Sequence, residues 1–224
     1  MKRFVSLITA FILIFSFSVP TFASDTEPDT EKASAALWDY LDVSRFGEKA
    51  ALATDVKPEF DFAVKSVCLI EAETGTVLYE SSSDVRYMPA SVTKVMTLLL
   101  VFEAIDSGKI KLTDEVTASS HAAEMGGTQI YLKQGETMTV EELIKAVAIP
   151  SANDAAVALA EYVAGSEDEF VRQMNEKAKT LGLENTNFTN CTGLFNDENH
   201  YTTAYDIAIM SRELIKHEKI FDFT

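Results

Sequence analysis

Apolar and polar positions along this chain group into short, separately patterned elements. Residues 64–70 and 76–80 are β-rich runs on either side of Glu71-Ala72-Glu73-Thr74-Gly75, where glycine offers a positive-φ turn position; together they predict a hairpin. A polar, turn-like stretch over 81–88 leads to Pro89. The apolar run from Val95 to Phe102 predicts a buried helix that opens around Ser91 and ends near Ser107-Gly108, with the glycine as its C-terminal cap. Residues 116–134 are mixed, broken by Gly126-Gly127-Thr128, and 129–132 read as a short extended run. Thr139 with Glu142 forms a capping box for a helix over 140–149, and Pro150-Ser151-Ala152-Asn153 breaks the chain before an alanine-rich helix over 154–164. Ser166 with Glu169 reads as a second capping box, opening a helix to about Leu181 that Gly182 stops. A polar loop over 185–199, interrupted by Gly193-Leu194-Phe195, precedes an amphipathic helix over 203–217 with Ile207, Met210, Leu214 and Ile215 on one face. Residues 220–224 are apolar.

The N-terminal stretch has a different character. Lys2 and Arg3, an apolar run over 4–19 and the small-residue ending Thr21-Phe22-Ala23 predict a secretory leader over 1–23, the run being short for a membrane span. An acidic, polar segment follows, read as a linker over 24–60 with a short helix around 33–41.

The 224 residues are 47% hydrophobic and 24% charged, a globular composition sufficient for one domain or part of a larger one. Formal net charge is −16, and −18 once Lys2 and Arg3 leave with the leader. Such a surface repels nucleic acid, and no basic amphipathic stretch suggests an anionic membrane. Two cysteines, Cys68 and Cys191, do not make a disulfide framework, and Cys68 reads as a small core residue of a strand. His121, His200 and His217 are scattered, with no metal-ligand spacing.

Two short motifs carry candidate chemistry. Ser91 and Lys94, three residues apart, share one helix face. A serine hydroxyl needs a base to become a nucleophile, and a lysine can serve if burial lowers its pKa from about 10.4 toward neutrality. Alone, Ser-x-x-Lys also suits a solvated helix surface, but the Val-Met-Thr-Leu-Leu-Leu that follows is no ordinary polar face. The second motif, Ser151-Ala152-Asn153, lies on a turn between two apolar helices. It can simply cap the following helix. It can also present polar groups to a cleft, the serine passing a proton to a leaving nitrogen and the asparagine holding both the lysine and a substrate amide.

Ser-x-x-Lys followed about sixty residues later by Ser-x-Asn resembles the penicillin-binding and serine β-lactamase superfamily. Residues 88–97 (Met-Pro-Ala-Ser-Val-Thr-Lys-Val-Met-Thr) resemble the active-site stretch of the low-molecular-mass D-alanyl-D-alanine carboxypeptidases. So do Gly127-Thr128-Gln129-Ile130, residues 151–155, residues 164–167, Leu181-Gly182-Leu183-Glu184-Asn185-Thr186 and Thr192-Gly193-Leu194. The resemblance covers about 63–224. It implies a peptidoglycan stem peptide ending in D-Ala-D-Ala as substrate, Ser91 as nucleophile, Lys94 as base, Ser151 as relay toward the leaving amine and Asn153 as the substrate-positioning group. β-Lactams would acylate the same serine, and no metal or organic cofactor is implied.

The implied fold is α+β, a β-lactamase/transpeptidase-like arrangement with a helical cluster packed on an antiparallel sheet. Two departures qualify it. The family's Lys-Thr-Gly strand motif, which helps hold the substrate carboxylate and supplies part of the oxyanion hole, is absent; Lys179-Thr180-Leu181 is helical and lacks the glycine. Residues 61–224 are therefore expected to be the N-terminal portion of the catalytic domain, with an incomplete sheet, low stability and little activity alone, and with membrane anchoring only if a missing C-terminal segment supplies it. Cys191 stands where the family often has proline, read as a loop change. Two alternatives remain. A secreted serine β-lactamase is disfavoured because Ala152 stands where the class A motif has aspartate and no deacylating-glutamate loop is found. The other is a non-catalytic wall-binding or β-lactam-sensing module.

Overall fold

The computed structural model describes residues 64–194 and 196–223. The leader over 1–23, the linker over 24–60 and the helix expected around 33–41 lie outside the described residues.

The hairpin pairs β1 (Val67–Ile70) antiparallel with β2 (Val77–Ser81), in a register that sets Cys68 opposite Glu80 and Leu69 opposite Tyr79. Its turn is built by Glu71, whose carboxylate accepts the N–H groups of Glu73 and Thr74. Gly75, at φ +75°, takes the conformation that a side chain would strain. Cys68 is half-buried, so it lines the edge of the core and is not enclosed by it.

The apolar run forms α1 (Lys94–Asp106), in which Met96, Leu98, Leu99, Leu100, Val101 and Phe102 are all buried. A helix that is apolar on every side has to be enclosed by others. The helix starts later than the sequence suggests, because Ala90–Thr93 is a 3-10 turn and Ser91 sits in it. Gly108, at φ +73°, follows the helix end, and its N–H donates to the Ile105 carbonyl.

A second small sheet was not legible in the pattern. β3 (Glu115–Thr117) pairs with β4 (Thr137–Thr139) and brackets α2 (Ser120–Ala123). Three-residue strands with one apolar position each fall below the length at which alternation can be read. The extended run expected over 129–132 is not a strand. Asp154 takes the Ile130 and Leu132 N–H groups, and Tyr131 between them sits at φ +62°.

α3 (Val140–Ala148) opens on the complete Thr139–Glu142 capping box. α4 (Asn153–Ala164) is buried along its whole first two turns, where alanines permit close approach of α1, α2, α3 and α5. α5 (Glu167–Thr180) is capped by Ser166, but only half of the expected box forms, since the Glu169 carboxylate turns to Arg172 and Gln173. α6 (Ala204–Leu214) ends three residues short of the expected His217; a 3-10 turn (Glu218–Asp222) then folds Ile220 and Phe223 into the core, Phe223 edge-on to Phe102 at 6.0 Å. Arg212 on α6 donates to the Ala72 and Glu73 carbonyls, which ties the hairpin to the helices.

Among the described residues no helix is long and apolar enough to cross a membrane. The chain is thus a helical cluster around α1 carrying two small antiparallel sheets.

Candidate active site

Three segments converge on the first turn of α1: the 3-10 turn with Ser91, the bend before α4, and the loop at 190–193. Ser91 is exposed, whereas Lys94 is 4% exposed. Lys94 Nζ lies 2.7 Å from Asn153 Oδ1, 3.0 Å from the Thr192 carbonyl and 3.4 Å from Ser91 Oγ. The last distance is at the outer edge of a hydrogen bond, as resting catalytic contacts often are.

Burial pushes the Lys94 amine down from 10.5 to about 8. A thiolate at Cys191 would act the other way. That thiol, though, is fully buried beside Glu167, which holds its pKa well above the ordinary value and keeps it neutral. At pH 7 about one Lys94 in ten is then the free amine. A neutral amine has two N–H bonds and one lone pair. Asn153 Oδ1 and the Thr192 carbonyl accept the two hydrogens, which leaves the lone pair for the remaining neighbour, the Ser91 hydroxyl.

Asn153 is itself held. Its Nδ2 donates to the Gly126 carbonyl at 2.8 Å, and its backbone N–H to the Thr128 carbonyl at 2.8 Å. A Cβ on Gly127 would come within 2.7 Å of Asn153 Nδ2 and of Leu194, at a backbone φ of +72°. Ser151 adopts φ +62° in the same bend and is half-buried, but among the described residues it makes no hydrogen bond to Lys94 or Ser91.

His200, buried below the Ser91 turn, accepts the Thr189 N–H at Nδ1, which places its own proton on Nε2, donated to Thr93 Oγ1 at 2.7 Å. Burial holds its pKa below the ordinary histidine value, so it serves as a neutral latch. Of the three histidines that look scattered in sequence, this one supports the site.

The D-alanyl-D-alanine carboxypeptidase family model matches residues 52–223. The chain belongs to that family. It is 57% identical over 166 residues to D-alanyl-D-alanine carboxypeptidase DacF of Bacillus subtilis, covering 74% of this chain and 42% of that relative. The solved structure of a peptidoglycan synthesis regulatory factor (PBP3) from Streptococcus pneumoniae is 37% identical with a TM-score of 0.69, over 73% of this chain and 55% of that one. Penicillin-binding protein D2 of Listeria monocytogenes, solved with ampicillin bound, is 29% identical with a TM-score of 0.66, over 75% and 68% respectively. The α+β, transpeptidase-like fold expected from the sequence is the fold of these family structures, with the sheet present only in part.

Sequence reasoning brought Ser91, Lys94 and Asn153 to one point, and Ser151 to their vicinity. It missed Asp154, Glu167 and His200 as supports, and the Thr192 carbonyl as a ligand of the amine. A main-chain oxygen leaves no trace in residue type. Among the described residues no cluster of side chains could hold a metal ion.

Proposed function

We propose that the protein is a serine-type D,D-carboxypeptidase that removes the terminal D-alanine from peptidoglycan stem peptides. One observation carries this reading: a buried Lys94 amine at about pKa 8, both of its hydrogens claimed, facing the hydroxyl of an exposed serine. Family membership supports the substrate class, and the chain's 42% share of the DacF length makes the activity a statement about the whole protein.

In this reading Lys94 takes the Ser91 proton while Oγ bonds to the penultimate carbonyl carbon. The C–N bond then breaks and D-alanine leaves, its nitrogen receiving the proton by way of Ser151. Water next attacks the ester, freeing the shortened stem and restoring Ser91. Asn153 orients the base and the substrate amide. A β-lactam presents the same carbonyl and acylates Ser91. Action outside the cytoplasm rests on the leader over 1–23.

The test uses the full-length protein, a fluorescent penicillin and a peptide ending in D-Ala-D-Ala. Expected are a penicillin adduct on Ser91 by peptide mass spectrometry and D-alanine release, both lost in Ser91→Ala. An adduct elsewhere, or release undiminished in Ser91→Ala, overturns the reading.

A further inference from the structure

Glu167 occupies the first turn of α5, a position where acidic side chains ordinarily point to water and favour the helix dipole. Its neighbour Asp168 does so, while the Glu167 side chain is only 15% exposed. Capping does not explain this, since Ser166 already caps the helix. The carboxylate points into the loop over the active site. One oxygen accepts the Cys191 N–H at 3.0 Å and the other meets His121 Nε2 at 2.7 Å. The Cys191 carbonyl in turn accepts the Thr97 hydroxyl of α1 at 2.7 Å, and the next carbonyl along, that of Thr192, accepts Lys94 Nζ. Asn190 closes the same loop from inside, its Oδ1 accepting the N–H groups of Thr192 and Gly193.

Resting on the function proposed above, we propose that Glu167 is a positioning residue for the base: its carboxylate pins the Cys191 amide and so sets the Thr192 carbonyl on Lys94. Burial works against the charged carboxylate, but the Cys191 N–H and His121 more than offset it and hold Glu167 ionised. The groups facing this network are few. His121 meets Glu167, Glu161 and Asp168, which raise its pKa, and the neutral Cys191 thiol meets Glu167 and Lys94. Once the pin is lost, the loop relaxes, water reaches the amine, and one of its two hydrogens loses its acceptor. The lone pair is then no longer directed at Ser91.

The experiment measures penicillin acylation of the full-length protein against pH for wild type, Glu167→Ala, Glu167→Gln and Glu167→Asp. For the alanine variant, acylation at pH 7.5 is expected to fall about tenfold or more, the loss of a charge-assisted hydrogen bond. Its apparent pKa should rise from about 8 toward the ordinary lysine value. Glutamine, which keeps an oxygen for the Cys191 N–H, should restore most of the rate. Aspartate keeps the charge at the helix start but falls one methylene short of the amide, so it should behave as alanine does, and it supplies the reading if alanine does not fold. A merely structural Glu167 would lower the folded fraction and leave the pKa where it was; an unmoved pKa in both alanine and aspartate overturns this proposal alone. No acylation of wild type overturns it together with the function it rests on.

Discussion

Gly193 packs against Ala90 so tightly that a Cβ there would stand 1.8 Å from the Ala90 carbonyl oxygen and 2.7 Å from Thr93 Oγ1. The backbone at Gly193 is also in the left-handed region, at φ +75°. Gly193→Ala therefore meets strain and an immovable main-chain atom together. It should destabilise the protein by about 2–4 kcal/mol and abolish acylation, because the turn that yields is the one carrying Ser91. Gly182, at φ +73° with nothing within 4 Å, is the control: Gly182→Ala should cost about 1 kcal/mol and leave acylation unchanged. Thermal unfolding and penicillin labelling measure both.

The Lys94 shift has a definite pH consequence. Acylation needs the free amine, so its rate should climb with pH and level off above about 8. The Lys94 contribution to stability moves in the same direction. The folded amine releases its proton near 8 and the unfolded one near 10.5, so between those values the unfolded state binds more protons. The burial penalty, on the order of 3 kcal/mol, is present in full below pH 8 and is relieved as pH rises through that window. The gain should appear as the difference between wild type and Lys94→Met in urea titrations at pH 7.5 and 9.5, since the raised pKa values of Cys68 and Cys191 act in the opposite direction in both proteins.

Asn153→Asp changes one atom and places a carboxylate 2.7 Å from the amine. An opposite charge favours the ammonium form, so the acylation pKa should rise well above 8 and activity at pH 7 should fall at least about a hundredfold. Asn153→Ala should lose a similar amount of activity with a smaller rise in pKa, since it admits water to the amine but adds no charge. A pH–rate profile separates the two variants.

Both thiols should be inert in the native protein. Burial raises Cys68 to about 11 and holds Cys191 higher than its ordinary value, and Cys191 is wholly enclosed. Iodoacetamide at pH 8 should label neither within the time that modifies both after unfolding, as intact-mass measurement would show.

What the sequence made legible follows from the physics of each element. The run over 95–102 and the Thr139–Glu142 box are local signals, strong enough to survive any tertiary context, and α1 and α3 lie where they point. The 129–132 stretch looked extended because its residues suit a strand. Its N–H groups were instead claimed by Asp154, a residue twenty-two or more positions away, and no local pattern reports such a claim. The site divides in the same way. Ser91, Lys94 and Asn153 meet through their side chains, which motifs record. Glu167 and His200 accept main-chain N–H groups of a loop whose path the sequence does not give.

That the amine is held by a carbonyl of the peptide chain, at Thr192, changes how this enzyme family can vary. No exchange of side chain at position 192 deletes the oxygen, but the Thr192 side chain is itself fully buried, its hydroxyl donating to Asn190 Oδ1 and accepting the Leu194 N–H, so the fold of the loop constrains the position as well as its length. Insertion of a single residue between Asn190 and Cys191 would shift that oxygen away from Lys94 while leaving every recognised motif letter intact.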